Sequence, residues 1–136
     1  MIKTLYLSYD GLTDPLGQSQ ILPYIRKLSN NREIHIISCE KKENFLQYET
    51  DINEFIDEFN VYWHPLSYNK LPPILSTVYD LWKIYLISIK FHKIFGFTTV
   101  HCRSHLTAII GHYLKKKINI PYIFDMRCFW PEERID

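Results

Sequence analysis

Three short segments of this 136-residue chain gather side chains capable of chemistry. The first, Asp10-Gly11-Leu12-Thr13-Asp14-Pro15-Leu16-Gly17-Gln18-Ser19-Gln20, holds two of the chain's 4 glycines. Asp14-Pro15-Leu16-Gly17 has the composition of a type I turn. The helix predicted from about Gln18 to Ser29 would then open with exposed N–H groups able to receive phosphate or carboxylate. Pro23 removes one donor unless that helix starts late. A purely conformational role for Gly11 and Gly17 stands level with this reading, because the spacing is neither G-x-G-x-x-G nor a Walker loop. The second segment, Val100-His101-Cys102-Arg103-Ser104-His105, sets two histidines about an arginine and a serine, a combination that can supply an acid, a base or an anion clamp. Taken singly, each has a plain explanation: Ser104 as an N-cap, one histidine packed on a sheet, Arg103 solvated. As a cluster they point to a site. In the third, Phe124-Asp125-Met126-Arg127-Cys128-Phe129-Trp130, Asp125 and Arg127 can bind hydroxyls and phosphate or pair with each other. Trp130, before Pro131, is read as a packing residue.

The elements that position these segments follow from pattern. Short β-branched and aromatic runs predict strands over Lys3–Tyr9, Glu33–Cys39, Asn60–Leu66, Thr98–Cys102 and Tyr122–Asp125. Between them, residues 43–59 place Phe45, Tyr48, Ile52, Phe55, Ile56 and Phe59 at helical spacing with acids between, and residues 76–95 and 105–117 predict two more helices. Strand and helix in alternation imply right-handed crossovers and a Rossmann-like, three-layer α/β domain: a mostly parallel sheet of about five strands with helices on both faces. Ligands of such sheets lie beyond the carboxyl ends of the strands, where all three segments fall.

Composition bounds the rest. With 46% apolar and 23% charged residues the chain is globular, and its length suits one domain. Lys plus Arg number 16 against 15 Asp plus Glu, so no broad field recruits nucleic acid. The 3 cysteines, Cys39, Cys102 and Cys128, have no CxxC pairing or zinc-type spacing, and reduced buried thiols with no metal are expected. The N-terminus lacks a secretory apolar run, which points to the cytoplasm. Leu81–Phe97 is too charged to span a membrane, and core packing is favoured there over an interfacial position.

Tyr9–Gln20, His101–Ser104 and Phe124–Arg134 together resemble, in order and over nearly the whole chain, the N-terminal domain of family 4 glycosyltransferases. The resemblance implies one half of a GT-B fold. This half would face a glycan or lipid-linked acceptor, and a C-terminal domain absent from the chain would hold the sugar nucleotide. It further implies retaining transfer without metal or cofactor, the sugar nucleotide being a substrate. The Gly11, Gly17 and Gln18 loop would approach the donor diphosphate. His101, Arg103 and His105 compete for the place of the histidine that members carry near the fourth strand, Asp125 and Arg127 stand where members often have His-Asp, and Cys128 replaces a glycine. By the same resemblance the protein would serve a cell-surface polysaccharide or lipid-linked glycan, with peripheral contact at the inner face of the membrane, and would be inactive alone. The alternative is a non-catalytic Rossmann-like module that binds an anionic ligand or a partner protein through the Gly11–Gln20 loop.

Overall fold

The structure, a computed structural model, describes residues 2–69 and 72–125. Five strands, β1 (Ile2–Ser8), β2 (Arg32–Glu40), β3 (Val61–Ser67), β4 (Thr99–Arg103) and β5 (Tyr122–Asp125), alternate with α1 (Leu22–Leu28), α2 (Lys42–Ile56), α3 (Pro73–Phe95) and α4 (Ser104–Ile118). The sheet order is β3-β2-β1-β4-β5 and every pairing is parallel. This is the expected Rossmann-like α/β architecture, with the sheet wholly rather than mostly parallel. Connections leave β1 in one direction and β4 in the other, so the topological switch point lies between these two strands.

Strand register divides the side chains into two layers. On one face Leu5, Leu7, Ile37, Cys39, Val100 and Cys102 pack against Ile84 of α3 and Ile110 and Leu114 of α4. On the other, Tyr6, Ile34, Ile36 and Val61 meet Leu22 and Ile25 of α1 and Ile52 and Ile56 of α2. Both sides of the sheet are therefore covered, which is why the strands read as continuous apolar runs rather than alternating ones. Cys39 and Cys102 are buried, unpaired thiols, and burial pushes both up to about 12.

Two local expectations are corrected. The Asp14–Gly17 turn is instead a helix start: Asp14 N donates to Gly11 O at 3.2 Å to close a turn over residues 11–14, Pro15 and Leu16 are already helical, and Gln18 N returns to Asp14 O at 3.0 Å. Asp-Pro suits this role because proline at the first helical position loses no hydrogen bond. A π-helical turn, Gly17–Ile21, then leads into α1, where Pro23 sits in the first turn. The widened turn releases the i−4 register that Pro23 cannot complete. Ser104 is not an N-cap. It adopts φ 80°, and Thr107 Oγ1 instead donates to the carbonyls of Arg103 at 2.6 Å and Ser104 at 3.3 Å.

Candidate functional site

The carboxyl ends of β1, β2 and β4 carry their polar residues on one face. Ser8 is paired in register with Ser38 and with Arg103, and two positions earlier Tyr6 is paired with His101. Parallel pairing keeps such partners on the same side, so the period of two along β4 brings His101 and Arg103 under α1 together.

Arg103 lies at the switch point and is 3% exposed. Its Nη1 donates to Asp10 Oδ2 at 2.5 Å and its Nη2 to Gln20 Oε1 at 2.9 Å. The guanidinium thus spans from β4 to the loop after β1 and to the π turn. Among the described residues its Nε is buried with no hydrogen-bond partner. A buried guanidinium is stable only when paired, and here the single carboxylate partner among the described residues, Asp10, is 47% exposed and borne on a loop. Beside Gln20 a surface depression of about 400 Å³ is lined by Pro23, Tyr24 and Lys27.

His101 stacks on Tyr6, with ring centres 4.7 Å apart at 18°, and packs against Tyr24 at 5.5 Å. Its Nε2 lies 3.1 Å from Asp125 Oδ2 at the end of β5. At that distance the imidazole Nε2–H donates to the carboxylate. The expected cluster is therefore divided. His101, Arg103 and Asp125 lie along one edge, whereas His105 is exposed on the first turn of α4 with its ring edge-on to Phe124 at 5.1 Å. Arg127, Cys128 and Trp130 lie outside the described residues.

The loop donors expected to cradle an anion are already engaged. Glu40, 4% exposed at the end of β2, accepts from Leu12 N at 2.9 Å, Thr13 N at 3.1 Å, Thr13 Oγ1 at 2.6 Å and the Ser38 hydroxyl. Gly11 N donates to Asp14 Oδ2 at 3.1 Å, and Gln18 Nε2 to Thr13 O at 3.0 Å. The glycines answer to packing: a Cβ on Gly11 would lie 2.9 Å from Cys39 O, and one on Gly17 2.1 Å from Gly11 O.

A second buried acid, Asp80 of α3, accepts from Tyr9 Oη at 3.1 Å, Asn69 N at 3.1 Å and Asn69 Nδ2 at 2.6 Å. Burial pushes the Tyr9 phenol up to about 12, so it remains a donor. Sequence reasoning missed both Glu40 and Asp80. A signal existed for Asp80: Ser76, Asp80, Ile84 and Ser88 recur every fourth residue and form the buried line of α3. Among the described residues no group of three or more His, Cys, Asp or Glu is arranged to hold a metal ion.

No family model matches this chain, and no curated protein matches it. Among solved structures it is similar to the C-terminal domain of PF1911 hydrogenase from Pyrococcus furiosus. One structure of that domain gives a TM-score of 0.64 at 9% identity, covering 92% of both chains, and a second gives 0.57 at 10% identity, covering 90% of both. At such identity the likeness is one of fold. These findings overturn the resemblance to family 4 glycosyltransferases, and with it the reading of the chain as half of a retaining glycosyltransferase for a cell-surface polysaccharide or lipid-linked glycan. The physical reason is that the three matching segments all begin at strand ends of a doubly wound sheet. Turn formers, helix starts and polar side chains collect there whatever the chemistry.

Proposed function

We propose that this domain is a binding module for a small anionic ligand, seated at the switch point between β1 and β4 and held by Arg103. The observation that carries this reading is the buried guanidinium, whose Nε has no partner among the described residues and which is held from across the switch point by Asp10 and Gln20. Asp10 places a carboxylate where a ligand's carboxylate or phosphate would sit, and its exposure and loop position allow an anion to displace it. Lys27 and Tyr24 in the adjoining depression supply a second cation and an aromatic wall. The cleft of about 350 Å³ over β2 and β3 is a weaker candidate, because its one buried charge, Glu40, is saturated by the protein's own donors.

Calorimetry and thermal-shift measurements with inorganic phosphate, pyrophosphate, adenosine nucleotides and a tricarboxylate test this reading. A ligand at about 100 times its Kd should stabilise the fold by about 2.7 kcal/mol, a rise of several degrees in Tm. Arg103→Met should abolish the rise. Asp10→Asn removes the competing carboxylate and should strengthen anion binding by about tenfold. No stabilisation by any of these anions in either wild type or Asp10→Asn would refute the proposal.

A further inference from the structure

The net charge of +1 conceals an uneven surface: the α1–α2 side exposes both signs, Arg26, Lys27, Lys41 and Lys42 included, whereas the α3–α4 side exposes cations alone among the described residues. From residue 72 to residue 119, through the whole of α3, β4 and α4, the one acidic residue is Asp80, and it is 0% exposed. The same stretch exposes Lys90, Lys93, Lys115, Lys116 and Lys117. The acids lie elsewhere: Glu43, Asp51, Glu54, Asp57 and Glu58 are exposed on and just after α2, which covers the opposite face of the sheet.

The basic face is also the apolar one. Ile74, Leu75, Val78, Tyr79, Trp82 and Leu86 are 79, 68, 59, 50, 56 and 44% exposed. At 100° per residue they form one outward stripe over the first half of α3, opposite the buried line of Ser76, Asp80, Ile84 and Ser88. Lys90 and Lys93 continue that stripe. Lys83 sits at its margin with its ammonium 5.0 Å from the Tyr79 ring centre. Tyr85 meets Tyr113 of α4, which with Ile109 extends the patch onto the second helix. Both helices return antiparallel to the strands, so their terminal lysines gather at one end, beside exposed Ile94 and Tyr113, while the stripe from Ile74 to Leu86 occupies the other.

We infer that the α3–α4 face docks on an anionic lipid bilayer, lying flat in its interface. The stripe supplies apolar insertion, Trp82 and the tyrosines suit the headgroup boundary, and the lysines face anionic headgroups. Among the described residues no helix is long and apolar enough to cross a membrane, which agrees with contact rather than spanning. A symmetric second copy fits poorly, because a two-fold pairing of this face would bring two sets of lysines together with no exposed acid among its described residues to neutralise them. The inference is independent of the Arg103 site, which lies under α1 on the other side of the sheet.

Flotation of the protein with vesicles of phosphatidylcholine alone, or with about a quarter phosphatidylglycerol, tests it. Binding to the anionic vesicles should be at least about tenfold stronger and should fall as salt is raised, and a blue shift in tryptophan emission should be missing from Trp82→Phe. Val78→Asp/Leu86→Asp should abolish flotation with an unchanged circular dichroism spectrum. Lys90→Glu/Lys93→Glu, which leaves the stripe intact, should weaken it severalfold. Equal binding to both vesicles, flotation unaffected by Val78→Asp/Leu86→Asp, or a dimer in sedimentation that this variant converts to monomer would each overturn the inference.

Discussion

Glu40 and Gly17 fix the loop after β1 from opposite sides, one by accepting its donors and the other by letting backbone touch backbone. Replacing Glu40 by Gln removes the charge and turns an amide group toward Leu12 N, Thr13 N and two hydroxyls, so buried donors face a donor. Glu40→Gln should cost about 2–4 kcal/mol, read as a lower urea midpoint with an unchanged slope. Gly17→Ala should cost about 2–3 kcal/mol, because the new methyl would meet the backbone of Gly11 and Leu12, which cannot yield as a side-chain tip can. Gly96 provides the contrast. It has φ +72° and open space about it, so Gly96→Ala should cost only about 1 kcal/mol. At this scale the sequence disclosed Gly11 and Gly17 through their rarity, and His101, Arg103 and Asp125 through their position after strands. Glu40 escaped because a single acid closing an apolar run reads as the strand's end. Its role depends on a loop 27 and 28 residues away in the chain.

Element by element, strands were legible to within one residue at every end, since buried parallel strands carry their signal in composition alone. Helix starts were less so: proline begins both the helix after Asp14 and α3, and a start at N1 resembles a turn until its partners are known. The pairing of β2 with β3 creates a feature that neither run announces. His35 and His64 are parallel, with ring centres 5.4 Å apart and Nδ1 of the first 3.2 Å from Nε2 of the second, among Tyr62, Phe91, Phe95 and Phe97. Burial lowers both imidazoles, His64 to about 4, and Glu33, 3.7 Å from His35 Nε2, only partly opposes this. The unfolded chain takes up protons near the ordinary value of 6.5, so it binds more protons than the folded chain between about 6.5 and about 4. The stability from this neutral pair is full above about 6.5 and is lost as pH falls through that window. Thermal unfolding should therefore drop by several degrees between about pH 7 and about pH 5. His64→Phe should flatten that drop while lowering Tm at about pH 8, because it leaves His35 Nδ1 without its partner.

Across the whole molecule, the architecture could be derived from alternation and length, but the function class could not. A doubly wound sheet places loops, helix starts and polar groups at its carboxyl edge for reasons of backbone geometry, so a match of strand ends tracks fold before chemistry. Charge shows the same limit. The sum of 16 cations and 15 anions suggests an electrostatically neutral particle, whereas the fold sorts the exposed acids of α2 from the lysines of α3 and α4 onto opposite faces. A particle with evenly mixed charges near its pI of about 7.7 would pass unretained through ion exchangers of either sign at that pH. This one should be held at low salt by both, each resin meeting the complementary face within a Debye length. Lys115→Glu/Lys116→Glu/Lys117→Glu should sharply lower the salt needed for elution from the cation exchanger, and Glu54→Gln/Asp57→Asn/Glu58→Gln should do so on the anion exchanger. In each case retention on the other resin should hold or strengthen. If either triple variant weakened retention on both resins, the charges would act as one averaged field, and the two-faced distribution would have no influence at the surface.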